Sequence, residues 1–166
     1  KPASNYVFPG KLDFLFNEPV ITEAETTKKC RSALQYDPAS VWVKPCYVQP
    51  VVAALRNENI QVGTAIGCQD GSNTTQIKVA EAKRALTEGA TLLATAVNAG
   101  FIREQRNDAL LTDIDTVAGI AHMNGALMEV SLHPELLEES DILKAAQLVG
   151  SADIDILSLP INWDER

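Results

Sequence analysis

Val62-Gly63-Thr64-Ala65-Ile66-Gly67, then Cys68-Gln69-Asp70-Gly71-Ser72-Asn73, then residues 74–88, form the stretch on which the fold turns. The first run is short and apolar, with the character of a strand. The second gathers the Gly, Asp, Ser and Asn of a turn. The third places Ile77, Ala80, Ala85 and Leu86 on what reads as the apolar face of a helix, and Gly89 is a fitting stop. Strand, turn and helix in that order make the first two-thirds of a βαβ unit.

The same order repeats on either side. Upstream, Val41-Trp42-Val43 reads as a strand that Lys44-Pro45 ends, and residues 48–57 carry Val51, Val52 and Leu55 at helical spacing. Residues 12–16 add a short apolar stretch before a first helix. Downstream, residues 92–97, 127–132 and 154–159 read as strands, the last ending at Pro160. Between them, residues 109–121 and 134–149 read as helices, the latter with Glu135, Glu138 and Glu139 early, where the helix dipole favours anions. Repeated βαβ units imply a parallel sheet with right-handed crossovers. A doubly wound sheet and a (β/α)8 barrel both fit that pattern. A dinucleotide-binding sheet would carry GxGxxG after its first strand, and the chain has none there.

Composition narrows the function classes. Of 166 residues, 46% are hydrophobic and 22% charged, which is globular, and no apolar run is long enough to span a bilayer. The formal net charge of −8 argues against nucleic acid and anionic membrane as partners. Cys30, Cys46 and Cys68 have neither disulfide-framework nor zinc spacing, so they read as reduced thiols of an intracellular, cytoplasmic protein without a metal. The N-terminal Lys1-Pro2-Ala3-Ser4-Asn5-Tyr6 lacks the apolar core of a signal peptide and an initiator Met.

Specific strings choose between the two closures. Leu12-Asp13-Phe14-Leu15-Phe16-Asn17-Glu18-Pro19 with Thr22-Glu23, and Val41-Trp42-Val43-Lys44-Pro45-Cys46-Tyr47-Val48, resemble segments of the deoxyribose-phosphate aldolases. So do the stretch 62–67, Gly71-Ser72-Asn73-Thr74-Thr75, Lys78-Val79-Ala80-Glu81-Ala82, residues 137–146 and Ser151-Ala152-Asp153-Ile154. The resemblance is collinear over about nine tenths of the chain. It implies an α/β fold of the TIM-barrel type, with the site at the C-terminal ends of the strands. Such barrels typically take roughly 250 residues, so this chain is expected to supply strands one to six as a single domain over 1–166. The barrel is then either cut short at the C-terminus or completed by a partner, because bare strand edges need covering.

The resemblance also implies an imine-forming lysine, a second lysine and an aspartate on strands four to six. The strand-four aspartate position falls on Ala94, and the lysine positions of strands five and six fall on Glu129 and Ile156. The family's phosphate site begins at a glycine after strand six, near which Pro160 stands here. Glutamate cannot form an imine.

Strand alternation names what else shares the barrel interior. Glu129, Lys44 and His133 are the expected catalytic groups: two acid/base groups and a cation that orients a carbonyl. Trp42, Asp13, Asn98, Ser131 and Ser158 are the expected substrate-binding groups. The leading expectation is an enzyme of the lyase, isomerase or cyclase kind, acting on a small non-phosphorylated carbonyl compound without a cofactor. Two alternatives stand beside it: a catalytically dead scaffold for binding or assembly, and a residual imine aldolase using Lys44. A homo-oligomer, or assembly with another chain, is expected in each case.

Overall fold

The computed structural model describes residues 12–67 and 70–159. Six strands, β1 (Asp13–Phe16), β2 (Ser40–Val43), β3 (Gln61–Ile66), β4 (Leu92–Ala96), β5 (Leu127–Ser131) and β6 (Ile156–Ser158), form one sheet in sequential order. All five pairings are parallel. Helices α1 (Glu23–Ala33), α2 (Val48–Leu55), α3 (Thr75–Thr87), α4 (Ala99–Arg103), α5 (Asn107–Met123) and α6 (Glu139–Val149) connect them. This is the six-stranded part of a TIM-barrel-like α/β fold. The segment 1–6, Cys68 and Pro160 lie outside the described residues.

One face of the sheet meets the helices. Val41, Val43, Val62, Ile66, Leu93, Val97, Met128, Val130 and Leu132 point to that side and join α2, α3 and α5 in a single apolar core. Burying this layer is the main stabilising contribution, because each such side chain removed from water is worth roughly 1.5–3 kcal/mol. The helices begin where local chemistry allows it. Thr22 and Glu25 form a reciprocal capping box at the start of α1, satisfying two backbone donors that the helix itself leaves unpaired.

Three details differ from the sequence reading. The apolar face of α3 is Lys78, Ala82 and Ala85, with Val79 and Leu86 at its margin, while Ile77 and Ala80 face solvent. A buried ion pair draws Lys78 inward and rotates the helix accordingly. Residues 134–149 are not one helix: Pro134–Leu136 is a 3-10 turn, and Leu137 and Glu138 are extended before α6 begins. Leu137 packs on the core from that extended position, which a continuous helix would not permit. Strand β6 starts later than expected, since the Asp155 carboxylate accepts from Met128 N and leaves only three residues for the ladder.

Candidate active site

Strand register arranges the other, concave face in rungs. Asp13, Ser40 and Gln61 form the first. Leu15, Trp42, Gly63, Leu92 and Leu127 form the second. Ala65, Ala94, Glu129 and Ile156 form the third, and Ala96, Ser131 and Ser158 the fourth. The positions matched above to an aspartate and two lysines are therefore adjacent in one rung of one face.

Trp42 makes the floor. It is 7% exposed, and its ring lies flat where a Cβ on Gly63 would stand, 2.7 Å from the nearest ring carbons. Only glycine leaves that room. Above it, the Glu129 carboxyl is half-buried. Burial raises its affinity for a proton above the ordinary carboxylate range, the Ser158 hydroxyl bonded to it pulls the other way, and the negative charge of Asp13 raises it again. Asp13 in turn accepts a hydrogen bond from Ser40 Oγ at 2.5 Å.

The remaining expected residues sit around this centre with other engagements. Lys44 follows the end of β2, and its ammonium donates to Pro19 O at 2.9 Å. It forms no ion pair with Glu129. His133, just beyond β5, has Nε2 3.5 Å from Ser131 Oγ and Nδ1 3.0 Å from Glu135 Oε1. Asn98 accepts from Phe101 N and caps α4. Burial pushes the Cys30 thiol up to about 12, which leaves it inert, whereas Cys46 is exposed. Among the described residues no group of three or more His, Cys, Asp or Glu could hold a metal ion.

The chain is 32% identical over 155 residues to the deoxyribose-phosphate aldolase of Lactiplantibacillus plantarum, covering 93% of this chain and 72% of that enzyme. The chain belongs to the deoxyribose-phosphate aldolase family. The Clostridium novyi enzyme is also 32% identical, over 88% of this chain and 65% of its own. A Coccidioides immitis structure assigned to the same family superposes with a TM-score of 0.84 at 28% identity, covering 92% of this chain and 59% of that one. The chain thus spans about two thirds of its relatives' length. No family model matches it.

Sequence reasoning missed two polar clusters of this aldolase-family chain. Behind the sheet, the fully buried Lys78 ammonium lies 2.6 Å from Asp113 Oδ2, and Thr75 Oγ1 donates to Asp113 Oδ1 at 2.6 Å. The pair joins α3 to α5. Its signal was present, because Lys78 shares a stripe with Ala82 and Ala85, and Asp113 with Leu110, Val117 and Ala121. A charge on each of two apolar stripes predicts a partner.

The second cluster fastens β6. His122, at the end of α5, bonds Asp155 Oδ2 through Nε2 at 2.8 Å, and its Nδ1 stands 3.4 Å from Asp153. The Asp155 bond, more than burial opposes it, raises the His122 pKa, while Met128 N and His122 lower that of Asp155. The signs give two windows. The His122 contribution is complete below the unfolded value of about 6.5 and is lost as pH rises through the higher folded value. The Asp155 contribution is complete above about 3.9 and is lost as pH falls through the lower folded value. Urea midpoints should therefore fall from pH 6 to pH 8 in the native protein, and His122→Gln should flatten that decline.

Proposed function

We propose that this chain is a deoxyribose-phosphate aldolase relative that has given up the imine and works by proton transfer from Glu129 on a small, non-phosphorylated carbonyl compound. The supporting observation is the third rung. It offers Ala94, Glu129 and Ile156 where the family resemblance calls for an aspartate and two lysines, with Ala65 beside them, and so presents one acid and no nucleophile. A half-buried carboxyl whose affinity for a proton is raised by burial is suited to protonating a carbonyl oxygen as C–C bond change, dehydration, isomerisation or cyclisation proceeds. In this reading His133 is the second acid/base group. Lys44, released from Pro19 O, orients the carbonyl. Trp42 supplies an apolar wall, and Asn98, Ser131, Ser158 and Asp13 bind the polar parts of the substrate. Such proton transfer calls for no cofactor.

Mass spectrometry after borohydride reduction with acetaldehyde, other small aldehydes and ketones, and 2-deoxyribose 5-phosphate tests the reading. No covalent adduct and no acetaldehyde release from the sugar phosphate are expected. An adduct that disappears in Lys44→Ala would replace this reading with an imine at Lys44.

The assembly we propose is a homo-oligomer of a single-domain chain in the cytoplasm. Among the described residues β1 and β6 are each paired on one side only, and Leu15 and Ile156 there are exposed. Unpaired strand edges favour coverage by another chain. The deoxyribose phosphate aldolase of Aeropyrum pernix, similar in fold at a TM-score of 0.79 and 20% identity, is described as a tetramer. No described helix is long and apolar enough to cross a membrane. Sedimentation velocity at low micromolar concentration should give a species larger than one chain; a compact monomer would refute the assembly and leave the chemistry standing.

A further inference from the structure

We infer that Ser131, His133 and Glu135 form a nucleophile, base and carboxylate relay at the mouth of the concave face, able to take an acyl group from a small uncharged ester. This goes beyond the proton transfer read at Glu129 and does not depend on it.

The relay follows from the local fold. Ser131 is the last residue of β5 and shares its rung with Ala96 and Ser158. Its backbone is pinned on both sides: Val97 N donates to Ser131 O at 3.0 Å, and Leu132 N to Ser158 O at 2.9 Å. Leu132 is fully buried in the core on the helix side. His133 is still extended, so alternation returns its side chain to the side of Ser131. Pro134 then opens the 3-10 turn, which Leu136 N closes on His133 O at 3.0 Å, and the turn carries Glu135 back to the imidazole. The three groups thus gather at the C-terminal end of a parallel strand, where barrels of this type hold their chemistry.

The distances give each group its part. Glu135 Oε1 lies 3.0 Å from His133 Nδ1. Its own backbone hydrogen bond, then the bond with His133, hold the Glu135 carboxyl below the ordinary carboxylate range, so it accepts. Nδ1 therefore carries a proton, and Nε2 of the neutral ring turns its lone pair to Ser131 Oγ, 3.5 Å away. Contacts of this kind are commonly looser in unliganded proteins and tighten to about 2.6–3.2 Å with substrate.

In acyl transfer the Ser131 O–H proton passes to His133 Nε2. An Oγ electron pair forms the bond to the acyl carbon, and the carbonyl π pair moves onto oxygen. Its return breaks the bond to the alkoxy group, which leaves with that pair, takes the proton from Nε2 and departs as the alcohol. Water then repeats the sequence on the acyl-serine, giving the carboxylic acid and restoring the hydroxyl. Glu135 orients the ring throughout and is a positioning residue. The net charge of −8 disfavours anionic acyl donors, so an uncharged ester is the fitting class.

The test uses p-nitrophenyl acetate, with release of p-nitrophenolate followed by its absorbance and the acid-quenched protein mapped by peptide mass spectrometry. Acetyl is expected on Ser131 of the native chain, a measurement that needs no variant to fold. Ser131→Ala should abolish the release, and His133→Gln should slow it by about 10²–10⁴-fold. Imidazole in solution should restore part of the rate to His133→Ala and none to Ser131→Ala. For Glu135 the readout is the ring itself: in 15N-histidine protein the neutral His133 should be protonated at Nδ1, and Glu135→Ala should move that proton to Nε2. No release, acetyl only on other side chains, or release undiminished in Ser131→Ala would overturn the inference. A His133 tautomer indifferent to Glu135→Ala would remove Glu135 from the relay and overturn it as drawn.

Discussion

Lys78→Met should cost about 3–5 kcal/mol of unfolding free energy, the usual consequence of leaving one member of a buried ion pair without the other. Asp113 is the stranded group: it is nearly as buried as the lysine, and Thr75 can satisfy only one of its oxygens. The double variant Lys78→Met/Asp113→Leu should recover most of the loss, because removing both charges also removes their desolvation cost. Equilibrium urea denaturation of the three proteins measures this. A single variant as stable as the native chain would mean that Asp113 finds another partner or takes up a proton at little cost. Since the pair lies on the helix side of the sheet, the concave face should be unaffected in any variant that remains folded.

Glu129→Gln carries the largest expected effect on chemistry. The amide keeps the size of the side chain and can still bond Ser158, so the thermal midpoint should change little. It cannot release a proton to a carbonyl oxygen, and turnover of the carbonyl substrate should fall by about 10²–10⁴-fold. If the group acts in the transition state as proposed, the fall should appear in kcat and kcat/KM alike. Lys44→Met should behave differently: with its ammonium on Pro19 O in the unliganded protein, its loss should raise KM more than it lowers kcat. A Glu129→Gln protein that melts far below the native chain with undiminished turnover would assign Glu129 a structural part only.

Most of the strand order was legible because parallel strands buried on one side leave compact apolar runs, such as 62–66 and 127–132, separated by helical spacing. The inward parity of Glu129 and Trp42 was legible for the same reason, since alternation is strict once the register is known. What sequence could not supply was the third dimension. Nothing in the string joins His122 to Asp155, because that bond depends on how the end of α5 lies against the start of β6. Nor does the spacing 134–149 reveal the break at Leu137 and Glu138, where packing of Leu137 outweighs helix continuity. Lys44 was read from strand parity alone, yet the strand ends before it, and the carbonyl of Pro19 decides where its ammonium goes. Ile77 looked like core by its hydrophobicity, and tertiary pairing of Lys78 overrode it.

The indole that floors the concave face also makes the molecule its own optical gauge. The chain has two tryptophans, Trp42 and Trp163. Replacing Trp163 by phenylalanine leaves Trp42 as the single emitter, one rung below Glu129 and packed against the bare backbone of Gly63. An occupant of the face displaces water from above that ring, so emission colour and quenching by acrylamide report occupancy without any assumption about turnover. A library of neutral carbonyl compounds can therefore be sorted by light alone, and binding can be found before the reaction is known.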